Sequence, residues 1–135
     1  MHLKTPAPLK GVYMTQCIAS RPDLRKNVVK LIEETELNAI VIDIKDYTGT
    51  VSFETGNPEI DAVSHTGPGC QAKDMKDFIK ELHDKNIYVI GRVTVFQDPL
   101  YTKLHPELAV KKLSNKEAVW KDRKGLSCLL LSCFE

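Results

Sequence analysis

The sequence predicts an α/β fold with a parallel β-sheet, and two observations carry that prediction. Three apolar runs rich in Val and Ile, at residues 11–18, 39–45 and 87–96, have the composition of strands that are buried on both faces. Two segments with the three-and-four spacing of amphipathic helices separate these runs. The order strand, helix, strand, helix, strand is typical of a parallel sheet.

The first helix is predicted over residues 21–37, directly after the first strand. Ser20 is the predicted cap, Pro22 suits the first turn, and Asp23 stands three residues after Ser20 in the register of a capping box. The positions that share one face of this helix are Leu24, Val28, Leu31, Ile32 and Thr35. We therefore expect this face to cover the sheet.

The second helix is predicted over residues 72–85, with Met75, Phe78, Ile79 and Leu82 on its apolar face. Each helix closes on an asparagine, Asn38 or Asn86, directly before the next strand. Asparagine tolerates the left-handed backbone conformation that ends many helices. We therefore predict the same helix-to-strand junction at both places.

Length and charge indicate an ordinary soluble domain with one core of modest size, since the chain has 135 residues and a net charge of +1. The lysine-rich segment 111–124 is interrupted by Glu117 and Asp122, so we predict a solvated surface there and no nucleic-acid partner. The apolar run 129–131 is far shorter than the ~20 residues that span a bilayer. Residues 1–9 lack the apolar core of a signal peptide and are predicted to be a linker.

The cysteines do not form a recognisable set. Cys17, Cys70, Cys128 and Cys133 have neither the spacing of a zinc site nor that of a disulfide framework. We therefore predict unpaired thiols, no metal site and no cofactor.

Charged residues interrupt the second and third strands on one face. Because side chains alternate along a strand, Asp43 and Lys45 share the face opposite Ile42, and Arg92 can approach Asp43 from the third strand. A buried charge without a partner is very costly, so an Asp and an Arg on neighbouring strands should meet or hold a polar ligand together. The pattern leaves two interpretations open, an internal ion pair that fixes strand register and a ligand site.

Further polar residues stand where these strands end. Asp46 follows the second strand, and Gln97 and Asp98 follow the third. Ligands bind at the carboxyl ends of the strands in both open α/β sheets and barrels, so convergence there favours a site. The alternatives are a simple turn beginning at Asp46 and a helix start at Asp98.

The first strand helps to choose between architectures. A dinucleotide-binding unit carries Gly-x-Gly-x-x-Gly after that strand, and this chain has Ala19-Ser-Arg-Pro22 instead. A flavodoxin-like or receiver domain would carry acidic residues there, and this chain has Gln16 and Cys17. The beginning of a (β/α)8 barrel fits better.

Four segments in this order also resemble a known family: KGVY at residues 10–13, TELNAIVIDIKD at 35–46, GRVTVFQDP at 91–99 and WKDRKG at 120–125. The chain resembles, over roughly residues 10–127, the glycoside hydrolase-like proteins catalogued as domain of unknown function 4015. The resemblance implies a TIM barrel related to carbohydrate-active enzymes, often exported or associated with the cell envelope. It also implies a carbohydrate ligand.

The resemblance assigns roles to the residues that match its motifs. It implies that Asp43 and Asp46 are the catalytic carboxylates and that Lys45 and Arg92 hold hydroxyls or carboxylated sugars. Trp120 would stack on a sugar ring or pack internally. The remaining residues implied to line the site are Asp98, Asp122 and Arg123.

After residue 127 the sequence departs from the family pattern. A barrel of eight units takes ~250 residues, so we predict only the first three βα units and the start of a fourth, truncated on the C-terminal side. The predicted division is a linker at 1–9, a barrel part at 10–127 and an aberrant tail at 128–135. Because glycosidases need two carboxylates, usually from different strands, such a fragment is predicted to be inactive.

Two other classes of function stay open. One is a non-catalytic carbohydrate-binding or envelope-associated barrel, in which the same polar strand ends bind glycan without cleaving it. The other is a small α/β domain that binds a partner through an exposed sheet edge.

Overall fold

A computed structural model of the chain describes residues 3–64 and 69–130. Its strands are β1 (Gly11–Met14), β2 (Ala39–Lys45), β3 (Tyr88–Val93), β4 (Lys111–Lys112) and β5 (Asn115–Val119). Its α-helices are α1 (Gln16–Ala19), α2 (Pro22–Glu33), α3 (Pro58–Ser64), α4 (Met75–Asp84) and α5 (Pro99–Leu104), and a short 3-10 helix covers Pro106–Leu108.

The first three strands form a parallel sheet in the order β1-β2-β3, as the sequence predicts. Val12 pairs with Ile40 at one end, and Asp43 pairs with Arg92 toward the other. The fold is therefore mixed α/β with a three-stranded parallel sheet and helices. The sheet does not close on itself within the described residues, so the barrel stays a prediction.

One face of the sheet carries the core. Met14, Ile40 and Ile42 are fully buried on that face. The helix residues in the same buried cluster are Val29 and Ile32 of α2 and Met75, Phe78 and Leu82 of α4. The opposite face holds Tyr13, Asp43 and Arg92, and Tyr13 and Arg92 are exposed there. The helices therefore cover one side of the sheet and leave the polar side open.

The start of α2 differs from the predicted capping box. Ser20 donates to the carbonyl oxygen of Cys17 over 2.9 Å, and Asp23 pairs with Arg21 over 2.9 Å. Arg21 is the cap residue of α2 and makes no side-chain cap hydrogen bond, while Pro22 does lie in the first turn. The predicted capping box is wrong because Thr15 caps the start of a separate short helix, α1, that ends at Ala19. Ser20 is the C-terminal cap residue of α1 and does not cap α2.

The two asparagine junctions turn out to be different. Asn86 has the predicted left-handed conformation, with φ of 57°, directly after α4. Asn38 does not, because α2 already ends at Glu33. Its side chain instead accepts from the backbone N–H of Lys10 and donates to the carbonyl oxygen of Pro8, each over 2.9 Å. Asn38 thus ties the chain before β1 to the start of β2.

The prediction of unpaired thiols is wrong for two of the cysteines. Cys17 and Cys70 form a disulfide that joins α1 to the segment before α4. The two residues are 53 positions apart, and only the fold brings them together. Cys128 is free, and Cys133 lies outside the described residues.

The lysine-rich segment forms an antiparallel pair, β4 and β5. The chain then returns beside this hairpin. Isolated antiparallel β-bridges join Cys128 to Gln97 and Leu129 to Ala109. Of the predicted tail, the structure describes residues 128–130 only, and residues 131–135 lie outside the described part. In residues 3–64 and 69–130 no helix has the length and apolar character needed to cross a membrane.

Candidate functional site

Asp43 is the centre of a polar cluster on the open face of the sheet. Its carboxylate is 3% exposed, and its Oδ1 accepts a hydrogen bond from Arg92 Nη1 over 2.6 Å. Its Oδ2 accepts from the hydroxyl of Tyr13 over 2.5 Å. The structure thus makes the predicted contact between Asp43 and Arg92 and adds Tyr13 from the neighbouring strand.

Asp43 shifts the pKa values of the two side chains that donate to it. The hydrogen bond to Asp43 raises the pKa of Tyr13, with burial and the charge of Asp43 adding to the effect. The hydrogen bond and the charge of Asp43 also raise the pKa of Arg92. Both neighbours therefore keep their protons and act as donors, and Asp43 accepts a hydrogen bond from each.

Tyr13 is a site residue that the strand analysis missed. Tyr13 pairs with Val41, and Val41 shares a face with Asp43 two residues later, so alternation places Tyr13 on the polar face. Its ring is 49% exposed, and the Arg92 guanidinium lies 5.8 Å from its centre. The same alternation that grouped Asp43 with Arg92 could have identified it.

Lys45 and Asp98 form a second, more enclosed pair at the carboxyl ends of β2 and β3. Lys45 Nζ lies 3.0 Å from Asp98 Oδ2 and donates to the carbonyl oxygen of Thr94 over 2.5 Å. Asp98 is also the helix start that the alternative interpretation named, since its Oδ1 accepts from the backbone N–H of Tyr101 over 2.8 Å at the start of α5. One carboxylate therefore anchors both a helix and a lysine.

Asp46 makes the contacts of a turn residue. Its Oδ1 accepts from the backbone N–H and the hydroxyl of Thr48, over 2.9 and 2.5 Å. Its Oδ2 accepts from Nε2 of the buried Gln16 over 2.8 Å. These contacts fix the chain reversal after β2, which brings Gly49 against Asp98, and they support the turn interpretation of Asp46. The sequence did not identify Gln16.

The three candidates nearest the C-terminus lie on the β4–β5 side. Trp120 is 42% exposed, and Arg123 is exposed as well. Asp122 accepts from Gln97 Nε2 over 3.0 Å and from the backbone N–H groups of Lys124 and Leu126. None of these hydrogen bonds reaches the Asp43 cluster within the described residues, and the bond to Gln97 ties this side to the end of β3.

A cleft of about 440 Å³ opens beside the Lys45–Asp98 pair, between the turn after β2, α3 and α5. Its polar lining comprises Lys45, Asn57, Glu59, Ser64, Asp98 and Tyr101, and Val51 and Ile60 add apolar surface. Lys45 follows Asp43 by two residues on β2, across an irregularity in the pairing of β2 with β3, so the cleft lining and the Asp43 cluster share this strand. The described residues contain no group of three or more side chains suited to holding a metal ion.

Comparisons with known proteins agree with this picture. A family model described as "Putative glycosyl hydrolase domain" matches residues 11–131. A solved structure that resembles the chain is that of a hypothetical protein from Ruminiclostridium thermocellum ATCC 27405, at 33% identity and a TM-score of 0.77. The match covers 88% of this chain, and the chain spans 60% of the length of that protein. No curated protein matches the chain.

Proposed function

Because the chain belongs to the family described as "Putative glycosyl hydrolase domain", we propose that it contributes the substrate-binding and part of the catalytic apparatus of a glycoside hydrolase. The observation that carries the proposal is Asp43, a buried carboxylate that accepts hydrogen bonds from Tyr13 and Arg92 and pairs with the charge of Arg92 on the open face of a parallel sheet. Glycoside hydrolysis uses one ionised carboxylate, as nucleophile or as general base, beside a protonated acid. Asp43 suits the ionised role.

The neighbours of Asp43 support that assignment. Each carboxylate oxygen offers two acceptor sites, so the hydrogen bonds from Tyr13 and Arg92 leave capacity toward the open face. Arg92 is half exposed and can donate further to a sugar hydroxyl. Asp46, in contrast, directs its known contacts into the turn, so we propose that it positions the loop after β2.

We also propose that the three parallel strands are part of a larger (β/α)8 barrel. Two observations support this: the R. thermocellum protein that shares the fold is longer, and β1 and β3 are both edge strands of the described sheet. In a barrel the face with Tyr13, Asp43 and Arg92 would point inward, where barrel enzymes carry their catalytic side chains at the strand ends.

A second carboxylate would then come from another strand. Glycosidases place the two carboxyl groups about 5 to 9.5 Å apart, and the cluster of Tyr13, Asp43 and Arg92 supplies one of them. We therefore expect the purified 135-residue chain to bind glycan without cleaving it. Release of reducing sugar by this chain above the level of an Asp43→Asn variant would contradict the expectation.

Replacement of Asp43 tests the catalytic role in the longest natural form of the protein. We expect Asp43→Asn to lower the rate of glycan hydrolysis by about 10²-fold or more while glycan still binds. Asp84→Asn, on the outer surface of α4, is the matched control and should keep the wild-type rate. An Asp43→Asn protein that hydrolyses glycan normally would refute the assignment.

A non-catalytic carbohydrate-binding role is the second candidate, because the Asp43 cluster holds only one carboxylate. The same variant separates the two roles. In a binding protein, Asp43→Asn would lower the glycan affinity, and no form of the protein would hydrolyse glycan. In an enzyme, the same change would lower the rate of hydrolysis while glycan still binds.

A further inference from the structure

We propose that the cleft beside the Lys45–Asp98 pair is a sugar subsite that takes uncharged or amino sugars and rejects carboxylated ones. This inference rests on the proposed function, since it takes the ligand to be a glycan. It goes further by assigning the ligand class from the charges that line the cleft.

The size and composition of the cleft suit a carbohydrate. About 440 Å³ is within the range of small-ligand sites, which combine apolar walls with a few polar groups that fix orientation. Tyr101 and Ile60 supply apolar surface on opposite elements, α5 and α3. Lys45 and Asp98 supply polar groups.

The cation that lines the cleft in the described residues, Lys45, is already neutralised. Lys45 is paired with Asp98 at 3.0 Å, and the side chains of both residues are more than four-fifths buried. An acidic sugar that took Lys45 as its partner would have to displace the buried carboxylate of Asp98, and breaking a buried ion pair is strongly unfavourable.

Lys45 keeps one donor for a neutral ligand. An ammonium group has three N–H donors, and Asp98 and the carbonyl oxygen of Thr94 occupy two of them. The third can serve a sugar hydroxyl without disturbing the pair. The lysine therefore recognises hydroxyl groups as a donor and adds no net attraction for anions.

Glu59 makes the net charge of the described cleft lining negative, which favours a cationic ligand. Among the described residues, the charged side chains of the lining are one cation, Lys45, and two carboxylates, Asp98 and Glu59, so this part of the lining carries one net negative charge. Glu59 is exposed at the lip and has no ion pair within the described residues. An amino sugar can therefore place its ammonium group against Glu59.

Binding of three hexasaccharides of matched length to the 135-residue chain tests the inference. We expect the glucosamine hexamer to bind most tightly at pH 6, the neutral glucose hexamer less tightly, and the galacturonate hexamer not measurably. Isothermal titration calorimetry gives the three affinities. Galacturonate binding as tight as that of the neutral hexamer, or no binding by any of the three, would overturn the subsite.

Two surface variants test whether Glu59 causes the preference for the glucosamine hexamer. Glu59→Gln should weaken the glucosamine hexamer about twofold to fivefold and leave the neutral hexamer unchanged, because it removes one exposed charge contact. Glu117→Gln, an exposed glutamate on β5, is the matched control and should change neither affinity. An equal response of the two variants would refute the role of Glu59.

Hydrolysis of the same three hexasaccharides distinguishes a failure of this inference from a failure of the proposed function. Binding in the expected order without cleavage by any form of the protein would refute the enzyme and keep the subsite. Cleavage of the acidic hexamer would support the enzyme and refute the subsite.

Discussion

Removal of the Cys17–Cys70 disulfide should cost a large share of the stability of this protein. A cross-link stabilises mainly by restricting the unfolded chain, and the effect grows with the length of the loop that it closes. The two cysteines are 53 positions apart. For a loop of that size the chain-entropy relation gives about 14 cal/mol/K, or about 4 kcal/mol at 25 °C.

That magnitude is about a quarter or more of the about 5–15 kcal/mol by which typical domains are stable. The disulfide also joins two segments that carry the turn after β2. Cys17 follows Gln16, which binds Asp46, and Cys70 follows Gly69, whose backbone N–H donates to Thr50 Oγ1 over 3.2 Å. We therefore expect the loss of the cross-link to loosen this turn as well.

Urea unfolding followed by far-UV circular dichroism measures the effect. The double variant Cys17→Ser/Cys70→Ser should unfold with a free energy about 4 kcal/mol below that of the oxidised protein. Cys128→Ser, which removes a free thiol, is the control and should change the free energy by less than about 1 kcal/mol. A double variant as stable as this control would refute the reasoning, as would four titratable thiols in the unreduced, denatured chain.

Three further predictions follow from other contacts. Gly49→Ala should lower the free energy of unfolding by more than about 2 kcal/mol, because φ is +89° and the new Cβ would lie 2.3 Å from the Asp98 carboxylate. Gly56→Ala is the control: φ is +82° and the space around it is open, so it should cost only the backbone strain of about 1 kcal/mol. Equal unfolding midpoints for the two variants would contradict the clash at Gly49. The hydrogen bond from Arg25 lowers the pKa of Asp74, so this contribution is present above the ordinary aspartate pKa and lost as the pH falls through the lower folded-state value. Asp74→Asn should therefore lower the free energy of unfolding by less than about 1 kcal/mol at pH 7, since the side chain is 47% exposed, and a difference from wild type that persists at pH 2 would argue against this cause. The Lys124 ammonium lies 5.9 Å from the centre of the half-exposed Tyr47 ring, so Tyr47→Ala should lower the free energy of unfolding by less than about 1 kcal/mol and Tyr47→Phe should leave it unchanged, whereas equal free energies for the two variants would exclude a role of the ring.

The sequence predicts the parallel sheet and the Asp43–Arg92 contact well, because both depend on local alternation of side chains. The ends of the helices are less predictable. Thr15 and Ser20 are both good caps, and only the packed structure decides that Thr15 starts a helix and Ser20 does not. Asn38 likewise has a tertiary role, toward Lys10, that outweighs its local preference.

The parts that the sequence does not predict are those that depend on distant segments. The Cys17–Cys70 disulfide joins two cysteines that only the chain reversal after β2 brings together. The hairpin of β4 and β5 comprises mainly exposed polar residues, so it lacks the apolar alternation by which a strand is recognised. The cleft, too, arises from α3 and α5, two helices of seven and six residues that are too short to show a clear helical periodicity.

The charged cluster on the open sheet face has a consequence for solubility. Natural proteins keep edge strands from joining those of other molecules by placing charged side chains on them, and Arg92 projects from the edge strand β3. Replacing Arg92 by an apolar residue would remove this charge and leave Tyr13 exposed beside an apolar side chain on the open face. The residues proposed to bind sugar would then also determine how much protein is recovered in soluble form, so expression yield and activity should fall together in such variants.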